Sequence, residues 1–140
     1  MRVRTPVQSL AALVGVVFLL VGILGFVPGI TTHYGELSFA GHGSGAKLLG
    51  VFQVSILHNI VHLLFGVVGL VLAKTADGAR TFLVGSGAVY LVLWVVGLIG
   101  AGDWIPVNTA DSWLHFALGV GMIVLGVVAS RGTVRVAAVA

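Results

Sequence analysis

Four long apolar stretches constrain the fold of this chain more than any other feature. They run approximately over residues 10–27, 48–73, 81–100 and 113–129. Each is long enough for an α-helix to cross the roughly 30 Å hydrocarbon core of a bilayer, which takes about 17–25 residues. Charged residues make up only 8% of the chain, which is too little to cover a soluble surface. The sequence therefore predicts an all-α integral membrane four-helix bundle that forms a single domain over residues 1–140.

Basic residues are distributed unevenly between the two sides of such a four-span arrangement. One side carries Arg2, Arg4, Lys74, Arg80, Arg131 and Arg135, whereas the other carries Lys47 together with Glu36, Asp103 and Asp111. Cytoplasmic loops are enriched in lysine and arginine, and tryptophans such as Trp104 and Trp113 anchor spans at the interface. We therefore expect a plasma-membrane protein with both termini and the turn at residues 74–80 in the cytoplasm. The outer loops would be residues 28–47 and 101–112.

The composition also excludes several kinds of function. The chain contains no cysteine, which excludes disulfides, thiolate metal sites and cysteine nucleophiles. Its isoelectric point near 10.0 comes from basic residues at the ends of the apolar stretches, so it indicates topology rather than nucleic-acid binding. The segment GHGSGAK is not a phosphate-binding loop, because Leu48 follows Lys47 where serine or threonine is required. We expect neither a nucleic-acid nor a nucleotide partner.

Polar residues interrupt the second apolar stretch in the segment LHNIVHLL. His58 and His62 are four residues apart, so an α-helix places both side chains on one face. Gln53 and Asn59 make the same part of the stretch more polar. Ionisable side chains inside a membrane span are costly and by default suggest a functional site. We therefore expect these histidines to face the bundle interior.

A weak internal repeat relates the two halves of the chain. The alignment pairs His62 with His115, Gly66 with Gly119, His58 with Asp111 and, more softly, Phe18 with Tyr90 and Gly25 with Gly97. Both halves would start on the cytoplasmic side, which predicts a parallel two-helix repeat about an axis along the membrane normal. The repeat predicts that His62 and His115 lie on facing helices within direct or single-water reach, with Asn59 or Asp111 beside them.

The first interpretation of the polar residues is helix packing. Histidine, asparagine and glutamine side chains hydrogen-bond across membrane helices, at about 0.6 kcal/mol per bond on average. The packing set would be Gln53, His58, Asn59, His62 and His115. Under this interpretation the protein is structural or accessory and needs no cofactor. It would work as a homo-oligomer or beside a larger membrane complex.

The second interpretation is a metal or haem site. His58, His62, His115 and Asp111 supply three imidazoles and a carboxylate. Such a set suits zinc, copper or non-haem iron, whereas haem would take His62 and His115 from opposing helices.

A third interpretation is proton conduction or pH sensing through the histidines and acidic residues. Nothing ionisable lies in the inner half of any stretch, so a proton path would stop near His62. An enzyme is less favoured, because no nucleophile with a neighbouring base is visible. Asp111 also has a simpler role, since an acidic residue at a helix N-terminus stabilises the helix by about 0.3–1 kcal/mol.

Several segments together resemble a known family. These are GELSFAGHGS, LGVFQVSILHNIVHLLFGVVGL, YLVLWVVGL and PVNTADSWLHFALGVGM, and the similarity covers roughly Pro6 to Ala129. The family consists of small actinobacterial membrane proteins and is catalogued as a domain of unknown function, DUF4383. The resemblance implies a four-helix membrane protein from an actinobacterium. It implies that two groups recur in the family, and these are His58, Asn59 and His62, and Asn108, Thr109, Asp111, Trp113 and His115. It implies no reaction.

Overall fold

The computed structural model describes residues 4–100, 103 and 105–139, with side chains as far as Arg131. Arg2, Trp104 and the side chain of Arg135, which entered the topology prediction, lie outside this description. The described chain forms four α-helices, α1 (Pro6–Leu24), α2 (Ile56–Leu72), α3 (Ala76–Leu98) and α4 (Thr109–Val139). Three short strands precede α2, and these are β1 (Thr31–Thr32), β2 (Lys47–Leu48) and β3 (Phe52–Gln53). A 3₁₀ turn at Tyr34–Glu36 lies between β1 and β2.

Side-chain caps define where the first three helices begin. The hydroxyl of Thr5 accepts a hydrogen bond from the Gln8 amide, and the Gln8 side chain accepts one from the Thr5 amide, which forms a capping box before α1. Ser55 and Thr75 accept from amides three residues later at the starts of α2 and α3. The Gln8 side-chain amide also donates to the carbonyls of Ala73 and Lys74. That contact ties the start of α1 to the end of α2.

The observed helices differ from the predicted stretches at several ends, and two of these differences change the description of the fold. The second predicted stretch, residues 48–73, is helical only from Ile56, because its first residues belong to β2 and β3. The predicted turn at residues 74–80 is also shorter, because the Thr75 cap starts α3 at Ala76. The all-α prediction therefore holds for the bundle but misses a small sheet.

The sheet packs against one end of the bundle. Its order is β1-β2-β3 with both pairs antiparallel, and Leu48 is opposite Thr31 on one side and Phe52 on the other. Leu48 and Val54 are buried in a small apolar cluster with Val21 and Leu24 of α1 packed against it. The loop of residues 28–47 is therefore partly an ordered cap on the bundle.

Three of the described helices are long and apolar enough to cross a membrane, namely α1, α3 and α4 as far as Arg131. The apolar helix α2 has 17 residues and is shorter than these three. Apolar side chains on all four helices are exposed on the outside of the bundle, as Leu13, Leu64, Val92 and Val128 illustrate. This surface is consistent with a membrane protein.

Close glycine contacts join the helices in pairs. A Cβ atom at Gly15 of α1 would lie 3.1 Å from the carbonyl oxygen of Gly66 in α2, and one at Gly87 of α3 would lie 2.7 Å from that of Gly119 in α4. The flanking contacts recur as well: Leu19 and Leu70 at the first crossing correspond to Leu91 and Ile123 at the second. The α1–α2 hairpin and the α3–α4 hairpin thus use the same crossing, at positions that the predicted repeat pairs.

The GxxxG spacing of Gly25 and Gly29 does not form a helical interface. α1 ends at Leu24, and Gly29 has a φ of 95°, which is outside the helical region. Gly25 instead packs directly on the side chain of Asn59, where a Cβ atom would overlap the amide. The motif therefore serves contacts within the chain.

Candidate functional site

Four polar side chains meet at the centre of the bundle. His58 and His62 come from α2, Tyr90 from α3 and His115 from α4, and we refer to them as the histidine–tyrosine cluster. The four-residue spacing of His58 and His62 stacks their rings on one face of α2, with centroids 4.3 Å apart. The cluster therefore connects the α1–α2 hairpin to the α3–α4 hairpin.

His62 is the hydrogen-bonding centre of the cluster. Its Nε2 atom lies 3.2 Å from Nε2 of His58 and 3.3 Å from the hydroxyl of Tyr90. Nε2 of a neutral imidazole carries either one proton or one lone pair, so the two contacts share a single donor or acceptor position. The other ring nitrogen of His62 is Nδ1. That atom is buried and has no hydrogen-bond partner among the described residues.

Aromatic contacts enclose the hydrogen bonds. The ring of Phe18, on α1, lies 5.7 Å from the rings of both His62 and Tyr90. Tyr90 also meets His115 edge to face, with centroids 5.0 Å apart. Rings at these separations and angles attract through their quadrupoles. Phe18 thus brings α1 into the same centre, and Tyr90 contacts both His62 and His115.

Two apolar cavities flank the cluster, and all four cluster residues line both of them. The larger cavity has a volume of about 360 Å³ and lies between α1, α4 and the β2–β3 hairpin. The smaller cavity, of about 270 Å³, lies between α2 and α3. The cluster is therefore a polar partition between two apolar spaces.

The two cavities have equivalent walls under the predicted repeat. Val17, Phe18 and Val21 line the larger cavity from α1, and Val89, Tyr90 and Leu93 line the smaller one from α3. Leu114, His115 and Leu118 on α4 correspond in the same way to Val61, His62 and Phe65 on α2. The halves differ at the polar positions, since Asp111 lines only the larger cavity and its counterpart His58 lines both.

His115 differs from the other two histidines. Its side chain is 4% exposed, yet it makes no hydrogen bond to any residue that the structure describes. Its contacts within the cluster are ring contacts with Tyr90 and His58. A buried polar group without a partner costs about 1–3 kcal/mol. The imidazole of His115 therefore retains unused hydrogen-bonding capacity next to a cavity.

Residues 8–128 match the family described as Domain of unknown function (DUF4383). The chain belongs to the DUF4383 family. The match confirms the resemblance seen in the sequence and includes the whole histidine–tyrosine cluster. No curated protein and no solved structure matches the chain.

In this DUF4383 protein, Asp111 has a capping role. Its Oδ2 atom accepts from the backbone amides of Asn108 and Gln53, each at 3.0 Å, while its own amide donates to the Asn108 side chain. Asn108 also donates to the carbonyl of Val51 at 2.7 Å. The two side chains therefore close the start of α4 and fasten the β2–β3 hairpin to it.

The structure does not bring the whole predicted packing set together. Gln53 lies in β3, where its side chain donates to the carbonyls of His42 and Ser44. Asn59 is fully buried against Gly25, and neither its amide nitrogen nor its amide oxygen has a hydrogen-bond partner among the described residues. Only the three histidines of that set share one centre.

The residues of the predicted metal set share a cavity but differ in their hydrogen bonds. His58, His62, His115 and Asp111 all line the larger cavity, but Oδ2 of Asp111 is occupied by two backbone amides. Within residues 4–100, 103 and 105–131, no group of three His, Asp or Glu side chains is placed to hold a metal ion. Metal-bound histidines almost always donate their other N–H group to a partner, and Nδ1 of His62 and of His115 have none in this part of the chain.

Sequence reasoning assigned no role to Tyr90. The residue was paired with Phe18 in the predicted repeat, and that pairing carried the signal. At equivalent positions that line equivalent cavities, one half carries phenylalanine and the other carries tyrosine. A hydroxyl added to an otherwise apolar position next to a histidine predicts a hydrogen bond across the hairpins.

Proposed function

We propose that this chain is a small membrane-embedded protein with a structural or accessory role, in which the histidine–tyrosine cluster holds two helical hairpins together. Three apolar helices of spanning length and a fourth, shorter apolar helix support the membrane assignment. The protein would act as a homo-oligomer or beside a larger membrane complex. No bound metal or cofactor is required by this role.

The hydrogen bond between Tyr90 and His62 carries this proposal. The Gly15–Gly66 and Gly87–Gly119 crossings hold each hairpin together. Between the hairpins, Phe82 packs on Gly69, and the Tyr90–His62 contact adds a hydrogen bond. The Tyr90 hydroxyl hydrogen-bonds Nε2 of His62 across that boundary, and the rings of Phe18, Phe65 and His115 pack around the tyrosine. A hydrogen bond inside an apolar bundle sets the orientation of one hairpin relative to the other.

Alanine variants of the histidines test the packing role. We expect His62→Ala to lower the free energy of unfolding by about 1–3 kcal/mol, because it removes two hydrogen-bond contacts and leaves a cavity. His115→Ala should cost less, since its contacts are ring contacts alone. His42→Ala, at an exposed site away from the cluster, is the matched control. Denaturation in one detergent measures all three, and an unchanged His62→Ala would refute the role.

A metal site is the second candidate, and one observation favours it. The Nε2 atoms of His58 and His62 are 3.2 Å apart. This is close to the roughly 3.3 Å between two ligands of one tetrahedral ion with bonds of about 2.0–2.1 Å. Under this candidate, purified protein contains metal or shows a haem absorption band that His62→Ala abolishes. Under the packing proposal, elemental analysis finds no stoichiometric metal before or after substitution.

We further propose four spans with both termini in the cytoplasm. The distribution of basic residues supports this orientation, and the absence of cysteine makes it easy to test by single-cysteine labelling. Gly43→Cys, at an exposed loop position, should react with a membrane-impermeant maleimide on intact cells. Lys74→Cys should react only after the cells are opened. Labelling of Lys74→Cys from outside would reverse the topology.

A further inference from the structure

The larger cavity has features that helix packing alone does not use. It is an apolar space of about 360 Å³ beside an imidazole, that of His115, which has no hydrogen-bond partner among the described residues. A cluster that served packing alone would be closely surrounded by side chains, as protein interiors are. Apolar pockets of this size with a few convergent polar groups are typical of small-molecule sites.

We propose that the larger cavity binds a lipid-soluble molecule whose neutral, planar head carries a carbonyl or hydroxyl group, as in quinones and quinols. The proposal goes beyond the packing role and does not depend on it. The head would lie against His115 and Tyr90, and the apolar tail would extend toward the surface of the bundle.

The walls of the cavity favour an apolar body that enters from the side. The β2–β3 hairpin contributes Leu48 and Phe52 at the sheet end. Leu13 and Val17 form part of the rim on α1, and their side chains are 60% and 48% exposed on the outside of the bundle. If α1 spans the membrane, this rim faces lipid. A molecule dissolved in the bilayer could therefore enter between α1 and α4.

The polar groups favour a neutral head. A neutral imidazole both donates and accepts a hydrogen bond, so His115 suits a carbonyl in one tautomer and a hydroxyl in the other. The carboxyl group of Asp111, one helical turn before His115, lines the same cavity and would disfavour an anionic head such as a fatty-acid carboxylate.

The rings around the cluster favour a planar head. Phe18, His62 and Tyr90 surround one end of the cavity with centroid separations of 5.7 Å from Phe18 to each of the other two rings. Aromatic side chains gain from stacked or edge-on contact with a conjugated ring. A glyceride head, which is saturated and not planar, would leave these rings without such a partner.

Binding can be measured by calorimetry on the full chain in phosphatidylcholine nanodiscs. The probe is a 1,4-naphthoquinone with a short isoprenoid tail, compared with the same isoprenoid chain without the ring and with oleic acid. We expect saturable binding of the naphthoquinone at one site per chain, at least tenfold tighter than either comparison ligand. No saturable binding, or equal binding of the bare isoprenoid, would overturn the proposal. Tighter binding of oleic acid would also overturn it.

Two substitutions at equivalent positions test which of the two cavities holds the ligand. Val17→Trp fills the larger cavity and Val89→Trp fills the smaller one, at positions that the repeat relates. We expect Val17→Trp to weaken naphthoquinone binding at least tenfold and Val89→Trp to leave it within twofold. The reverse result would place the ligand in the smaller cavity and refute the assignment.

His115→Leu tests the head contact. Loss of one hydrogen bond should weaken naphthoquinone binding about threefold to tenfold while binding of the bare isoprenoid is unchanged. An equal effect on both ligands would show that His115 makes no contact with the head. Because the unfolding measurements on His62→Ala are made without ligand, failure here would leave the packing role standing.

Discussion

The α1–α2 hairpin and the α3–α4 hairpin share a backbone crossing but differ in the residues that they bring to the centre. Gly15 and Gly66 cross in the first hairpin as Gly87 and Gly119 do in the second. At the centre, Phe18 of the first corresponds to Tyr90 of the second. The glycine crossings therefore set how the helices pack in both hairpins. A difference in one side chain at an equivalent position, phenylalanine in one and tyrosine in the other, determines where a polar contact forms.

The largest effects are expected at the shared crossings. Gly66→Ala and Gly119→Ala should each destabilise the protein by about 1–3 kcal/mol, because the added Cβ atom would lie within 3.0 Å of neighbouring atoms on the partner helix. Gly85→Ala and Gly121→Ala are matched controls, since a Cβ atom there meets nothing within 4 Å. The controls should be neutral or more stable by up to about 1 kcal/mol.

Chemical denaturation in a single detergent would rank these four variants. Comparable losses at Gly66 and Gly119 would support equivalent crossings. If one of these two variants were as stable as the unsubstituted protein, the two crossings would not be equivalent.

The two halves carry different residues at the equivalent positions 58 and 111, and this predicts the next largest loss of stability. Asp111 accepts hydrogen bonds from two backbone amides, whereas its counterpart His58 contacts His62 in the cluster. Asp111→Ala should cost about 1–2 kcal/mol through loss of the helix cap and should also release the β2–β3 hairpin. Asp111→Asn, which keeps one acceptor oxygen, should cost less.

Hydrogen exchange at the Gln53 amide is the specific measurement for the Asp111 variants. Its protection should fall in Asp111→Ala and persist in part in Asp111→Asn. Unchanged protection in Asp111→Ala would show that the carboxylate does not fasten the hairpin. His62→Ala provides the contrast, since the hydrogen-bonding contacts of His62 are with His58 and Tyr90. It should leave the exchange of the Gln53 amide unchanged.

The sequence predicted the helices better than it predicted the site. The apolar stretches and the four-residue spacing of His58 and His62 follow from local periodicity, which a single sequence shows directly. The sheet was missed because β2 (Lys47–Leu48) and β3 (Phe52–Gln53) are two residues each, which is too short to show an alternating pattern. Asp111 and Asn108, which are distant in sequence, also hold the β2–β3 hairpin through hydrogen bonds to Gln53 and Val51.

The site was predicted only in part for a similar reason. The spacing placed His58 and His62 on one face, and the repeat added His115, but Tyr90 entered only as the counterpart of Phe18. The sequence predicts either a metal ligand or a helix-capping group at Asp111, and the structure shows its hydrogen bonds at the start of α4. Residue type alone could not separate these roles, because both use a carboxylate near a helix start.

The smallest expected effect tests whether the hydroxyl alone distinguishes the two halves. Tyr90→Phe should cost about 0.5–1.5 kcal/mol, because it removes the hydrogen bond to His62 without changing the ring. Phe18→Tyr places a hydroxyl at the equivalent position, on the wall that carries His115. If the halves are equivalent, the double variant Phe18→Tyr with Tyr90→Phe should recover about half of the loss, since His115 then gains the donor that His62 loses. A double-mutant cycle on the free energy of unfolding measures this recovery. If the losses in free energy of unfolding of the two single variants simply added, the tyrosine introduced at position 18 in the double variant would not replace the hydrogen bond of Tyr90. The two cavity walls would then be alike in shape but not in hydrogen bonding, and the surroundings of position 90 would determine where the hydroxyl can act.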